Sequence, residues 1–184
     1  INRGTLSKYL KQDSVIITGN NPNQPRRYEY ECDENFFEII DTEEKAYILG
    51  FFLADGSLIN NGIKFDQTIS NRNILEFIKQ SMQAEQEIKT YEGRIVNSPY
   101  SDNSYISQPM CRLSISRIKL KKDLMNLGIQ EDKTYNFDIL NVPEKFWNDF
   151  MRGYLDGDGS ISLSKNSFRI SYTIKNLKLA NFII

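Results

Sequence analysis

Ile48-Leu49-Gly50-Phe51-Phe52-Leu53-Ala54-Asp55-Gly56 and, 103 residues on, Met151-Arg152-Gly153-Tyr154-Leu155-Asp156-Gly157-Asp158-Gly159 end alike. Each stretch has a small residue, three larger ones, a second small residue and then Asp-Gly, and Ser57 and Ser160 follow. Gly50 and Ala54 are four apart and share one helix face, as do Gly153 and Gly157. Small residues at that spacing let two helices approach closely. Close approach brings the two helix ends together and sets Asp55 beside Asp158. Adjacent carboxylates repel, and burying both charges calls for a compensating cation. Magnesium fits, because it is held by one or two carboxylates together with substrate phosphates. Metals so held activate water and stabilise the leaving oxygen in phosphodiester cleavage. One Asp per copy suits two scissile phosphates on opposite strands of a duplex.

The likeness continues past the motifs. Thr68-Ile69-Ser70-Asn71 through Phe77-Ile78 matches Thr173-Ile174-Lys175-Asn176 through Phe182-Ile183 at an offset of 105, with the two-residue difference assigned to a loop. Repeats at this separation read as two copies of one unit. Duplicated units pack about a pseudo-twofold axis, in imitation of a symmetric dimer. A lone Asp-Gly after a helix is ordinarily a turn, but the duplication with matching small-residue faces argues for more. Asp156-Gly157-Asp158-Gly159 hints at a calcium loop and fails as one. Ile161 stands at the loop's glycine position and Ser167 at its closing glutamate.

Outward from the motifs, Asp41-Thr42-Glu43-Glu44 announces a helix, with Asp41 as its cap and Glu44 answering as in a capping box. The helix runs through Ala46–Ala54 and is apolar on every side, so it is buried on every side. Strand signals follow at Ser57–Ile59 and Ile63–Ile69 through an Asn60-Asn61-Gly62 turn. Asn71–Gln83 is amphipathic. Glu87–Val96 and Met110–Ile115 read as strands joined by a polar loop, and Arg117–Leu127 as a helix closed by Gly128. Pro143 opens a helix over Glu144–Asp156, and strands return at Ser160–Leu163 and Phe168–Ile174. Before all this, Thr5–Gln12 reads as a short helix, Val15–Ile17 as a strand and Gly19–Arg27 as a loop. Gly4–Lys11 has the look of the second helix of a helix-turn-helix, which would offer Lys8 to a major groove.

Composition narrows the chemistry. The chain has 184 residues, 40% hydrophobic, 12% aromatic and 26% charged, enough for a real core. It contains no histidine, which removes Ser-His-Asp triads, Cys-His nucleophiles and histidine-based zinc sites. Cys32 and Cys111 are too few for a disulfide framework and read as free thiols. No apolar run reaches a membrane span and no signal peptide opens the chain, so the expected address is the cytoplasm or the nucleoid. Net charge is −1, which does not itself announce a nucleic-acid binder. The charges are unevenly spread, however. Glu31–Glu44 holds seven acids and no base, and Gly159–Ile184 holds four bases and no acid. This is compatible with a DNA-facing side or with ordinary surface scatter.

The two motif segments resemble the LAGLIDADG homing endonucleases, and the resemblance runs from Asp41 to the end. It implies an α+β fold of two pseudo-symmetric αββαββα units with saddle-shaped antiparallel sheets laid in the major groove. On this reading residues 1–40 are a helix-turn-helix-like DNA-binding segment and linker, 41–140 the first unit and 141–184 an incomplete second. Asp55 and Asp158 fall on the family's metal-binding catalytic acids, with two or more Mg²⁺ ions at the motif-helix ends. Lys133 falls where the family places a basic residue near the cleavage centre. Gly50, Ala54, Gly153 and Gly157 form the helix interface. Base contacts belong to outward strand residues. Lys64, Asp66 and Thr68 alternate with Phe65, Gln67 and Ile69 without settling which set faces DNA, and Gln67 could instead approach the active centre. Arg169, Ser171 and Thr173 are the counterparts in the second copy. Lys119, Lys121 and Lys122 are phosphate contacts or a solvated helix face. The implied activity is site-specific, magnesium-dependent double-strand cleavage by a monomer with internal pseudo-twofold symmetry. The partner is double-stranded DNA, and no membrane is involved.

Three features set the chain apart from the full pattern. Its second copy stops inside the helix matching Asn71–Gln83, it starts at Ile1, and Lys133 has no partner in the second copy. The expectation is a fragment of a longer protein, able to cut poorly or not at all alone. The alternatives are a maturase that binds intron RNA and a non-catalytic DNA-binding regulator. The paired acids argue against the second.

Overall fold

The computed structural model describes residues 29–97, 104–130, 141–165, 167–174 and 180–181. The segment before residue 29, with Lys8 and the helix-turn-helix expectation, lies outside the described residues, and so does Lys133.

Helix α1, Glu43–Asp55, is the axis of the molecule. Its cap is Thr42 rather than the expected Asp41: Thr42 Oγ1 accepts from the Lys45 amide at 3.2 Å. Asp41 is instead drawn into an ion pair with Lys45 Nζ at 2.8 Å. Ala46, Ile48, Leu49, Gly50, Phe51, Phe52 and Leu53 are all buried, as an all-round apolar helix requires.

The chain then runs through β1 (Gly56–Ile59), β2 (Gly62–Thr68), α2 (Arg72–Ser81), β3 (Lys89–Tyr91), β4 (Ile95–Asn97), β5 (Ser104–Ile106), β6 (Met110–Ile115) and α3 (Ile118–Asn126). A 3₁₀ turn, Glu144–Phe146, leads into α4 (Trp147–Asp158), β7 (Gly159–Ser164) and β8 (Ser167–Tyr172). The fold is α+β, and every strand pair is antiparallel. One sheet has the order β1-β2-β6-β3; β4-β5 and β7-β8 are separate ribbons. The expected single strand Glu87–Val96 is split at Gly93. A Cβ there would lie 2.2 Å from the Ser107 carbonyl oxygen, so the chain crosses its neighbour at that point, and the polar loop beyond supplies β5. Helix α3 closes as expected. Gly128, at φ 107°, lets its own amide reach the Met125 carbonyl and the Ile129 amide reach that of Leu124, each at 3.0 Å.

The most extensive contact between two elements is α1 against α4. A Cβ on Gly50 would lie 2.0 Å from the Phe150 carbonyl oxygen, and one on Gly153 would lie 1.9 Å from that of Tyr47. The contact is therefore reciprocal: Gly50 and Gly153 are 103 apart, as are Tyr47 and Phe150. Each helix rests backbone to backbone on the other through its own glycine.

The hairpins that follow the helices obey the same logic with one change. Gly56 pairs with Phe65, and Gly159 pairs with Tyr172. Phe51 stacks on Phe65 with ring centroids 6.3 Å apart, and Tyr154 stacks on Tyr172 at 6.1 Å. Counterparts in the second strand are thus 107 apart, not the 105 expected from sequence. Gly56 to Phe65 spans ten residues and Gly159 to Tyr172 fourteen, so the β7-β8 hairpin carries two extra rungs. Ser171 and Thr173 consequently match Lys64 and Asp66, Arg169 opposite Ser162 matches Gly62, and the extra rungs are Leu163 with Phe168 and Ser164 with Ser167. The shift is even, so each residue keeps its expected face.

Cys32 and Cys111 are both free. No helix among the described residues is long and apolar enough to cross a membrane.

Candidate nucleic-acid interface and acidic centre

Asp55 and Asp158 are the last residues of α1 and α4. Both helices run one or two residues further than their apolar pattern foretold, and the acids therefore sit at helix C-termini. Those ends carry partial negative charge, which disfavours a carboxylate by about 0.3–1 kcal/mol. At the crossing, a Cβ on Gly157 would lie 2.3 Å from Ala54 Cβ and 3.5 Å from the carboxyl carbon of Asp55. The small residues thus lay Asp55 against the end of α4, one residue from Asp158. Two acids at two negative helix ends are poorly placed for stability and well placed for a cation. Among the described residues, no three Asp, Glu, His or Cys side chains converge as a closed metal cage. Two carboxylates open to further oxygen donors are a donor set that suits magnesium completed by phosphate oxygens.

Gln67 belongs to this centre. Its Nε2 donates to Asp55 Oδ2 at 2.6 Å, while its Oε1 accepts from Asn71 Nδ2 at 3.3 Å. The two bonds together fix which end of the amide is nitrogen. Gln67 is 8% exposed, so this orientation is held by packing as well. On the other side, Tyr154 donates to the Thr173 carbonyl at 3.0 Å, and the Thr173 amide reaches the Asp158 carbonyl at 3.3 Å. Burial, with the charge of Asp158 added, pushes the Tyr154 hydroxyl up to about 12. Tyr47 donates to Asp156 Oδ2 at 2.8 Å and lies under the Arg152 guanidinium, 5.1 Å from its ring centroid. Burial first, then Asp156, raises the Tyr47 hydroxyl above its ordinary value.

The four-stranded sheet settles the alternation left open by sequence. Ile63, Phe65 and Gln67 are buried, and Lys64, Asp66 and Thr68 face outward. Across that outer face, Ser57, Lys64 and Ser114 form one row, Asp66, Arg112 and Lys89 the next, and Thr68, Met110 and Tyr91 a third. Asp66 accepts from Lys64 Nζ at 2.9 Å and from both Arg112 Nε and Nη2. Burial pushes the Asp66 carboxyl up, but Arg112 and Lys64 outweigh it and hold it below the ordinary range. Arg112 also lies over the Tyr91 ring at 5.2 Å. A hollow of about 520 Å³ opens beside these residues, away from the acids, with the buried Gln86 and Arg117 in its wall. Arg112, Tyr91 and Lys89 escaped the sequence reading. The alternation of Met110, Arg112 and Ser114 with Cys111, Leu113 and Ile115 carried the signal. On the second hairpin, Ser160, Ser162, Arg169, Ser171 and Thr173 share the polar face. Lys119 is engaged by Glu38 and Asp123 at 2.7 and 2.8 Å, as on a solvated helix face.

This arrangement defines a class: two close-packed helices, each ending in an acid and feeding an antiparallel hairpin. Residues 146–183, which include the second motif, match the family model of the LAGLIDADG-like domain. That stretch carries the likeness to the LAGLIDADG family. It is also similar to a protein of Acanthamoeba polyphaga mimivirus described as a DNA polymerase, 27% identical over 132 residues. That match takes in 68% of this chain and 7% of the relative, so the chain spans a small part of that relative's length.

Proposed function

We propose that this chain is the core of a site-specific DNA endonuclease that hydrolyses one phosphodiester in each strand of a long duplex target. One observation carries the reading: the reciprocal seating of Gly50 on Phe150 and Gly153 on Tyr47, which delivers Asp55 and Asp158 to one end of the helix pair. Residues 41–140 form a first unit and 141–184 belong to a second, related by a pseudo-twofold axis that matches the symmetry of duplex strands. Asp55 and Asp158 would hold Mg²⁺, which when bound supplies an activated water and neutralises charge on the leaving oxygen. Gln67 orients the Asp55 carboxylate, and the outer sheet face carrying Lys64, Asp66, Thr68 and Arg112 lies in the major groove, which admits a β-ribbon. A relative named for work on DNA supports the same substrate class.

The test is incubation with genomic or randomised duplex DNA, in Mg²⁺ and in EDTA, followed by sequencing of the ends produced. The expected result is breaks at one defined site, dependent on Mg²⁺ and abolished by Asp55→Asn or Asp158→Asn. Tight binding of a defined DNA or RNA without any cleavage would overturn the nuclease reading in favour of a regulator or an RNA maturase.

A further inference from the structure

The hollow beside the outer sheet face has no part in the acidic centre, yet its walls are firmly built. β3 pairs with β6 only through Met110, Cys111 and Arg112. The chain ahead of β3 is drawn away by a strap at residues 29–33. The Glu85 amide donates to the Glu31 carbonyl and the Glu31 amide to Glu85 Oε2, each at 3.0 Å, and the Asp33 amide donates to the Met82 carbonyl at 2.8 Å. Arg117, 3% exposed, fastens the strap from the other side through the Tyr30 carbonyl. The gap left between strap and sheet is the hollow of about 520 Å³, within the roughly 300–1,000 Å³ of ligand sites. Gln86 stands in its wall, 7% exposed, and its buried Oε1 accepts no hydrogen bond among the described residues. A buried acceptor left unmet is costly and calls for a donor. The last torsion of a glutamine is soft, so the amide can turn its oxygen to whatever fills the hollow.

We propose that this hollow is a binding site for a single unstacked nucleotide, with guanine as its preferred base. Tyr91 carries the Arg112 guanidinium, which leaves the exposed ring of Tyr30 as the platform on which a base stacks. Gln86 Oε1 and the Glu87 carboxylate are acceptors, and they suit a base edge made of N–H donors. Guanine offers the most of these, at N1 and N2, and the Ser114 hydroxyl supplies a donor for its O6. Lys89, on the outer face, takes the phosphate. A basic peptide would also bring donors, but Lys89 and Arg112 repel it. The nucleotide is either one turned out of a bound duplex at the flank of its site or a free one. The first source rests on the outer face lying in the major groove, the reading proposed above. Stacking on Tyr30 and hydrogen bonds to the base edge then offset the loss of pairing in the duplex.

The experiment has two arms, and the first needs neither cleavage nor a known target. The side-chain amides of the full chain are followed by ¹⁵N NMR while each of the four deoxynucleoside 5′-monophosphates is added. The Gln86 signal is identified by its loss in Gln86→Leu. The expected result is a saturable shift of that signal, strongest with dGMP. By calorimetry, Gln86→Leu weakens dGMP about tenfold or more and levels the preference among bases, whereas Tyr30→Ala weakens all four alike. Leucine removes an acceptor that is unmet in the empty protein, so the urea midpoint of Gln86→Leu does not fall. A fall would show an amide that serves the fold, and would overturn the proposal. So would the absence of a Gln86 shift with every nucleotide, or dGMP binding that survives Gln86→Leu. In the second arm, the base opposite each flanking guanine of the selected target duplex is removed in turn, which lowers the cost of turning that guanine out. Binding tightened about tenfold at one position in the parent, and not in Gln86→Leu, assigns the site to a nucleotide of the bound DNA. No such position, with dGMP still bound, assigns it to a free nucleotide. A Gln86 shift with dGMP in a chain that never cuts DNA leaves this site standing and sinks the nuclease reading alone.

Discussion

The two glycines at the helix crossing carry more of the architecture than their size suggests. Alanine is ordinarily the better helix residue by about 0.8–1 kcal/mol. At Gly50 and Gly153, however, a Cβ would lie 2.0 and 1.9 Å from a carbonyl oxygen of the opposite helix, and backbone cannot swing aside as a side chain can. We expect Gly50→Ala or Gly153→Ala to destabilise the chain by about 1–3 kcal/mol, as overpacking does. A shift of the urea midpoint to lower concentration, at unchanged slope, is the measurement. An unshifted midpoint would show that the helices do not touch there. The acids give the opposite prediction. Asp158 is exposed and ends a helix where negative charge is unwelcome. Asp158→Asn should therefore raise the midpoint slightly in metal-free buffer, by about 0.3–1 kcal/mol, while abolishing cleavage. A variant both inactive and less stable would mean that the acid serves the fold instead.

At the scale of elements, sequence spoke clearly where one local rule decided the outcome. The all-round apolar pattern of Tyr47–Ala54 foretold burial, and Gly128 foretold the close of α3. Alternation showed that Lys64, Asp66 and Thr68 share a face, though not which face, because Phe65 and Gln67 on the other side are a mixed pair. Burial of Gln67 is settled only by α1 behind it, where Asp55 waits for its amide. The split at Gly93 and strand β5 depend on a pairing between separate strands, and the two extra rungs of β7-β8 on where that hairpin turns, neither of which alternation alone fixes. The row Asp66, Arg112, Lys89 is another such product. Asp66 grips Arg112 by Nε and Nη2, and Tyr91 supports its plane. A guanidinium held this way presents its outer edge in a fixed orientation, the geometry that reads guanine O6 and N7. Arg112→Ala should weaken binding to the selected target by about 1–3 kcal/mol and relax the preference for guanine at one position per site. Selection from a randomised library with parent and variant checks both. A uniform loss across all sequences would reduce Arg112 to a phosphate contact.

Across the whole molecule the two hairpins share a plan and differ in what covers them. Ile63 and Phe65 of the first are fully buried in the continuous core around α1, which Leu75 and Ile78 of α2 and Leu120 and Leu124 of α3 complete. The corresponding side of the second hairpin is exposed: Ile161 and Leu163 lie opposite Ile170 and Phe168, and these four are 44–79% accessible. The cost of deleting a side chain follows its burial, since only a buried ring leaves a cavity and loses its transfer energy. Phe65→Ala should therefore cost about 3–5 kcal/mol. Phe168→Ala should change stability by no more than about 0.5 kcal/mol in dilute solution. Chemical denaturation of both variants, repeated over a hundredfold range of protein concentration, decides the matter. A large loss for Phe168→Ala that grows with concentration would mean that copies of the chain cover this face in one another. A large loss independent of concentration would mean that the hairpin folds back onto its own chain, and that the core extends into the second copy of the motif as it does in the first.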